Sequence, residues 1–493
     1  MSPSQLENRA HISRAIRFSA INQVVNRIAT FASGIIVMRI LLPGDVGTFA
    51  AATAFVVFCT AFNDICMGPA LIQWKGNLHQ AAKSGATIAI GGSVFLYVIF
   101  YFLSPSIGNW LDDDQLSSVL RLLMLLVIID GIGTVPLAVL TRKMRQKPIL
   151  YIETISLAAQ IIVTIVLAKN DFGPFSLVWG MVASNGLSTL MMFAIADEAR
   201  LPGFHLDTAK KLIRFGSMLA VSNVFRVSTQ YFDNLVVSAT QGTTQLGYYQ
   251  LGYNGGNLPE NTVGATVGRV SFAWFSEIRE NDKHRRKAFH DLTLGLVATT
   301  LPFVMVLSVL STDIVQVLYG DKWRHAANIV RILAILGGIR VFLNFFADIF
   351  AANGKPHLEL QIFSLWFAAL IPALIIGSLV GGITGVAIAH VMVASLVIIP
   401  LVMFNLSKQD FPVAQTFKDS IVLVIGAICQ GIVMFSISQM IESPFISLII
   451  SGAAGAGVFI LVTFKVLKQI KKTFTDPSHG FSNLDETAAE TLG

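Results

Sequence analysis

Apolar runs of membrane-crossing length recur along this chain, separated by short polar segments. The pattern predicts fourteen helical spans, at roughly 16–38, 46–66, 84–103, 117–140, 149–168, 174–196, 211–239, 246–277, 290–311, 326–352, 358–379, 383–405, 419–440 and 445–465. Each approaches the ~20 residues that a helix needs to cross a hydrocarbon core about 30 Å thick. The connecting segments are short, the longest around 278–289, and leave no room for a folded domain outside the membrane. The polar, acidic stretch from Thr473 to Gly493 predicts a disordered tail.

Two adjacent spans depart from the pattern. In 211–239, Asn223, Arg226, Gln230 and Asp233 fall at helical spacing and share one face. The next span, 246–277, is interrupted by Gly255, Gly256 and Pro259. Charges inside a hydrocarbon-length helix are costly unless they face protein or water. Irregular backbone at that depth is tolerated where it lines a cavity or packs on protein. Together they predict a wet, charged cavity.

The chain also repeats itself. Ile16-Arg17-Phe18 returns as Ile213-Arg214-Phe215, with Asn26 and Asn223 at the same offset. Val46-Gly47-Thr48-Phe49 is answered by Leu246-Gly247-Tyr248-Tyr249, and Arg121-Leu122-Leu123 by Arg331-Ile332-Leu333. Lys147-Pro148 is answered by Lys355-Pro356, and Ser156-Leu157 by Ser364-Leu365. Six spans return the chain to its starting side, so the halves read as parallel repeats. The predicted fold is an all-α polytopic membrane protein with fourteen transmembrane helices, arranged as two parallel six-helix repeats plus two appended helices. The predicted domains are an N-terminal lobe over 1–200, a C-terminal lobe over 201–406, the appended pair over 407–472 and a cytoplasmic tail over 473–493.

Composition agrees: of 493 residues, 54% are hydrophobic and 13% charged, against about 25% charged in ordinary soluble domains. The net charge of +6 does not signal nucleic acid, because the charges sit between spans. With the N-terminus cytoplasmic, 25 of the 35 basic residues fall on the inner side and only Arg39, Lys169, Lys322 and Arg324 on the outer side. That bias predicts both termini in the cytoplasm. The first residues carry no cleavable signal pattern, so the first span is expected to stay in the chain. Cys59, Cys66 and Cys429 are too dispersed for a disulfide framework or a metal site.

Span one carries Asn22, Gln23, Asn26 and Arg27 near mid-depth, and its repeat partner carries the Asn223 stripe. Arg269 and Arg340 add two further cations within spans. The functional reading is a cavity in which Arg27, Arg226, Arg269 and Arg340, with Asn26, Asn223 and Gln230, hold an anionic group, most naturally phosphate. The structural alternative pairs Arg226 with Asp233, and Arg340 with Asp130 or Asp348. Asp64, Asp130, Asp233, Glu260 and Asp348 are the intramembrane carboxylates, open to coupling an ion or pairing a cation. Asp112-Asp113-Asp114 reads as a solvated anionic turn, Trp110 and Trp323 as interfacial anchors, and His390 as a packed histidine. Arg285-Arg286-Lys287 fits a topology signal and a contact for anionic lipid. No glycine loop for phosphate, nucleophile–base arrangement or metal spacing is present, so no catalytic residue, cofactor or metal is predicted.

Three stretches carry a resemblance: LLPGDVGTFAAATAFVVFCTAFNDICMGPALIQ, LGYYQLGYNGGNLPENTVGATVGRVSFAWFSEI and YGDKWRHAANIVRILAIL. They resemble the polysaccharide transport family, and most nearly its Wzx-like exporters, within the multidrug/oligosaccharidyl-lipid/polysaccharide flippase superfamily. The resemblance runs from residue 10 to about 440. It implies a protein of the bacterial inner membrane that moves undecaprenyl-pyrophosphate-linked repeat units between leaflets by alternating access. The partners so implied are the lipid-linked oligosaccharide, the surrounding membrane lipids, a glycan polymerase and a chain-length regulator. The cavity arginines rest on the helix reading, since the family holds them at no fixed motif position. A multidrug or cation antiporter of the same superfamily is the first competing reading; it would favour twelve spans and a carboxylate-lined cavity. A membrane glycan polymerase or glycosyltransferase is the second; it would want a long outer loop, which the pattern lacks.

Overall fold

Helices build the chain, and among the described residues no strand occurs. The structure, a computed structural model, describes residues 25–72, 74, 76–143, 145–196, 203–278 and 282–475. It divides into two compact units, Met1–Gly247 and Tyr248–Gly493.

The first unit holds α1 (25–40), α2 (Pro43–Ile72), α3 (Leu78–Trp110), α4 (Leu116–Leu123), α5 (Leu125–Arg142), α6 (Gln146–Lys169), α7 (Pro174–Ile195) and α8 (Leu206–Gln241). Polar residues at the ends set where these begin. Asn77 caps α3, its Oδ1 accepting from the backbone N–H groups of His79 and Gln80 at 3.0 and 3.3 Å. Asp113 does the same for α4: Oδ1 accepts from the N–H groups of Gln115 and Leu116 at 2.9 and 3.0 Å. Its Oδ2 accepts from the Thr48 hydroxyl at 2.5 Å. The carboxylate expected to stand in a solvated turn therefore fastens α4 to α2. α2 packs on α5 and α8, and its Ala51, Ala52 and Ala54 are fully buried. Small residues suit this setting, because close packing, more than hydrophobic exclusion, holds helices together in lipid.

The second unit takes in most of α9 (Thr243–Gly256) and then α10 (Ala265–Glu277), α11 (Asp282–Val309), α12 (Ser311–Tyr319), α13 (Ala326–Ala352), α14 (Pro356–Val393), α15 (Ile399–Ser407), α16 (Val413–Ser438) and α17 (Pro444–Thr475). α11, α16 and α17 share a core of Leu294, Val297, Ala298, Leu423, Ala427 and Phe459. α13 packs against α11, α10 and α14. Trp323 is fully buried, where its position after Gly-Asp-Lys suggests an interfacial anchor. The 3-10 turn Asp321–Trp323 carries the ring inward, edge-on to Tyr248 at 6.1 Å between centroids. Trp110, by contrast, is exposed.

Ten intervals among the described residues are long and apolar enough to cross a membrane. One, His357–Ser407, has 51 residues, about 76 Å of helix at ~1.5 Å per residue. It breaks near its middle, at Gly381 and Gly382, where Gly382 has φ 57° and ψ −144°, a conformation that side chains resist. Phe102, Val380 and Leu461 are 75%, 84% and 78% exposed. An outer surface of such residues is solvated by hydrocarbon, and the chain is a multi-pass membrane protein. α17 continues to Thr475, past the expected start of the tail at 473.

Candidate functional site

From Leu333 to Ala352, α13 is apolar apart from a polar stripe. Arg340, Asn344 and Asp348 lie four residues apart and share one face. That face meets the polypeptide running from α9 into α10. The approach is close because Gly337 of α13 lies against the backbone carbonyl of Gly256, where a Cβ would collide with the oxygen.

Just beyond Gly256 the helix widens into a π turn over Glu260–Gly264. Pro259 has no N–H to donate and its ring crowds the carbonyl four residues back, which disfavours a regular α turn. The Thr262 hydroxyl takes up part of the disturbed bonding, donating to the Leu258 carbonyl at 2.6 Å. The predicted interruption is thus a turn at Asn257 followed by a widened stretch of helix. Tyr253, Asn257 and Glu260 remain on one face at spacings of four and three.

These two faces meet at Arg340. Its Nη1 donates to Tyr253 Oη and Asn257 Oδ1, both at 3.0 Å, and stands 3.6 Å from Glu260 Oε2. The guanidinium carbon lies 5.3 Å from the centre of the Tyr253 ring. Asn344 Nδ2 donates to Glu260 Oε1 at 3.1 Å. Tyr253 also packs near the buried His390 of α14, with ring centroids 6.4 Å apart. Arg340 and Glu260 keep 15% and 27% side-chain exposure, so the pair is enclosed yet reachable. At 3.6 Å the ion pair is loose beside the 2.7–2.9 Å of a charge-assisted hydrogen bond. An incoming phosphate could compete for the guanidinium.

The carboxylate beside Arg340 is thus Glu260, where the sequence pattern offers Asp130 or Asp348. Asp348 lies two turns further along the stripe, beside Gly268. In the first unit, Asn26 of α1 donates to the Thr154 hydroxyl of α6 at 3.4 Å, and Arg27 beside it is exposed. Asp130 is half-buried on α5. On α8, Gln230 is exposed, while Asp233 is buried and accepts from the Asn234 N–H at 2.9 Å. Asn22 and Gln23, and the side chains of Asp64, Asn223, Arg226 and Arg269, lie outside the described residues. Tyr253, Asn257 and Asn344 join the site without having been singled out. Their signal is spacing: Asn344 is one turn from Arg340, and Tyr253 and Asn257 precede Glu260 at helical intervals.

Over residues 36–328 the chain matches the family model described as polysaccharide biosynthesis protein. It is 22% identical over 362 residues to the lipopolysaccharide biosynthesis protein WzxC of Escherichia coli (strain K12), covering 73% of each chain. It is 24% identical over 428 residues to the teichuronic acid biosynthesis protein TuaB of Bacillus subtilis (strain 168), covering 84% of this chain and 87% of that one. Among solved structures it is similar to the lipid II flippase MurJ in an inward closed conformation. The TM-score is 0.73 at 17% identity, over 92% of this chain and 99% of that one.

Proposed function

We propose that this chain, which belongs to the polysaccharide biosynthesis protein family, carries undecaprenyl-pyrophosphate-linked oligosaccharide repeat units across the bacterial inner membrane by alternating access. The observation that carries this reading is the Arg340 site: a guanidinium held loosely by Glu260, inside an apolar helical unit, with amide and phenol groups around it. A hydroxyl taken from water into hydrocarbon without a partner costs about 4–8 kcal/mol. A glycan head therefore needs a polar path, and its pyrophosphate needs a cation. Arg27, Arg226 and Arg269, with Asn26, Asn223 and Gln230, are the further groups that would meet the substrate in this reading. Asp64, Asp130, Asp233 and Glu260 supply its counter-charges or its coupling site. Two relatives named for lipopolysaccharide and teichuronic acid biosynthesis, and a fold shared with a lipid II flippase, support the substrate class.

The membrane arrangement belongs to the same proposal. Splitting His357–Ser407 at Gly381–Gly382 turns ten apolar intervals into eleven crossings. α1, α8 and the helix from α9 through α10 make fourteen, with both termini cytoplasmic. Two six-helix repeats are supported by one matched pair. Arg121 Nε donates to the Tyr101 carbonyl and the Ser104 hydroxyl at 3.2 and 2.8 Å, bracing the end of α3. Arg331 Nε, at the answering position, donates to the Ser308 carbonyl at 3.3 Å, bracing the end of α11. A polymerase and a chain-length regulator would act on the delivered unit.

The test is genetic and chemical. Deleting the gene should stop one surface or secreted polysaccharide and accumulate its lipid-linked repeat unit on the cytoplasmic side. Normal polysaccharide together with new drug sensitivity would overturn the reading in favour of an antiporter.

A further inference from the structure

A second polar cluster lies in the second unit, apart from Arg340. His290, two turns into α11, stands between two carboxylates. Its Nε2 is 2.9 Å from Asp419 Oδ2 of α16, and its Nδ1 is 3.2 Å from Asp291 Oδ1. Gln415 Nε2 donates to the same Asp419 oxygen at 2.9 Å. Asp291 Oδ2 is buried and, among the described residues, accepts no hydrogen bond. The cluster borders a cavity of about 290 Å³ among α11, α16 and α17.

The hydrogen-bond inventory decides the protonation state. A neutral imidazole has one N–H and one lone pair. Here both ring nitrogens face carboxylate oxygens, and a lone pair set against such an oxygen is repulsive. Acceptors outnumber donors, and the unsatisfied Asp291 oxygen deepens the shortfall. The arrangement is complete only when the cluster binds an additional proton.

We propose that His290, Asp291 and Asp419 form a proton-binding site whose occupancy clasps α16 to α11. The surroundings define its charge. α16 turns Lys418 as well as Asp419 to the cavity, and α17 turns the uncharged Gln469, Val466 and Ile470. α13 presents apolar groups to α11, with Phe346 stacked on Phe289 at 5.9 Å. The loop before α16 holds Phe411 against Phe289 at 4.8 Å and Asp410 near Arg286 at 3.8 Å. With the proton bound, the imidazolium and Lys418 balance the two carboxylates. Without it, Asp291 and Asp419 face a neutral ring, and one of the two contacts becomes repulsive.

The clasp works at one end only. Further along, Gln430 of α16 donates to the Pro302 carbonyl of α11 at 3.2 Å. Beyond that, the Ser447 hydroxyl of α17 donates to Asp313 of α12 at 2.6 Å. Neither bond needs a proton exchanged near neutrality. Proton loss therefore loosens α16 from α11 at the His290 end, where the Phe411–Phe289 and Asp410–Arg286 contacts remain, while the far ends stay tied. This inference is independent of which substrate the chain carries.

The test uses the full chain in lipid nanodiscs with 15N-labelled histidine. At about pH 6.5, the midpoint of an ordinary histidine, the ring resonance that disappears in His290→Gln should be mostly doubly protonated. The melting temperature of the wild type should fall as pH rises from about 5.5 to about 8.5, and His290→Gln should lose that part of the fall. A neutral His290 ring at the acid end, or an identical pH profile in His290→Gln, overturns the proposal. Asp419→Asn keeps the histidine and serves if His290→Gln does not accumulate. It should weaken proton binding by about tenfold, the order of one charge-assisted hydrogen bond. An unchanged titration of His290 in that variant also overturns it.

Discussion

Arg340 on α13 and Glu260 at the head of a π turn stand 3.6 Å apart, each also held by an asparagine contributed from the other's helix. The cross-over matters: Asn257 precedes Glu260 yet serves Arg340, and Asn344 follows Arg340 yet serves Glu260. Removing either charge leaves the other with a neutral partner in place. Arg340→Ala is expected to abolish polysaccharide export and to cost about 1–3 kcal/mol of stability, the range for stranding a half-buried partner. Adding Glu260→Gln should restore most of the stability and none of the export. Melting curves and polysaccharide yield for both variants check this. Full export by Arg340→Ala at normal protein levels would remove the residue from the transport path.

Tyr253→Phe takes one hydrogen bond from Arg340 and leaves the ring beneath the guanidinium. The expected loss is about 0.5–1.5 kcal/mol in stability, with reduced export at unchanged protein levels. Asn257→Leu should reduce export further, because it removes an acceptor and puts an apolar group in its place. Quantifying polysaccharide against membrane-inserted protein separates these outcomes from simple misfolding.

Gly337→Ala puts a methyl group against the Gly256 carbonyl, which belongs to backbone and cannot swing away. About 1–3 kcal/mol of destabilisation is expected, together with separation of the Arg340 stripe from Tyr253 and Asn257. Gly186→Ala is the control, since nothing lies within 4 Å of its added carbon. Equal melting temperatures for the two variants would contradict the close approach.

Arg121→Ala and Arg331→Ala each unfasten the end of one long helix within its own unit. Each should cost roughly 1 kcal/mol, and the double variant should cost their sum, because the two contacts share no partner. A double variant no worse than either single would show the two braces acting on one element.

Lys283→Cys tests the side of the basic run at the start of α11, an exposed position. A membrane-impermeant thiol reagent added to intact cells should not label it. Labelling from the periplasm would reverse the predicted topology.

Much of the architecture was legible because lipid imposes a coarse code. A run of about twenty apolar residues has few alternatives, and Arg340 and Glu260 stand out within such runs. Their meeting was not legible. It depends on two glycines 81 positions apart (256 and 337) whose only signature is the absence of a side chain. Trp323 misled for a related reason: the residues before it suit a membrane interface, but a 3-10 turn rotates the ring into the interior. The His290 cluster was hidden because Asp419 lies 129 positions away and reads, in isolation, as a polar residue near a helix start.

A π turn is a helix with one residue too many, and that surplus has a consequence for how this protein can change. Deleting a single residue from Glu260–Gly264, Asn261 for instance, would let the segment close into an ordinary turn, and the residues after it would keep their present faces, because the wide turn absorbs the surplus residue locally. The same deletion in a regular stretch of helix would swing everything after it by about 100°. Gly268 would stay beside Asp348, and the groups that α13 meets beyond the turn would be unchanged. A one-residue difference in length between such chains can therefore be absorbed at this turn, where a comparison of aligned residues alone would score a gap.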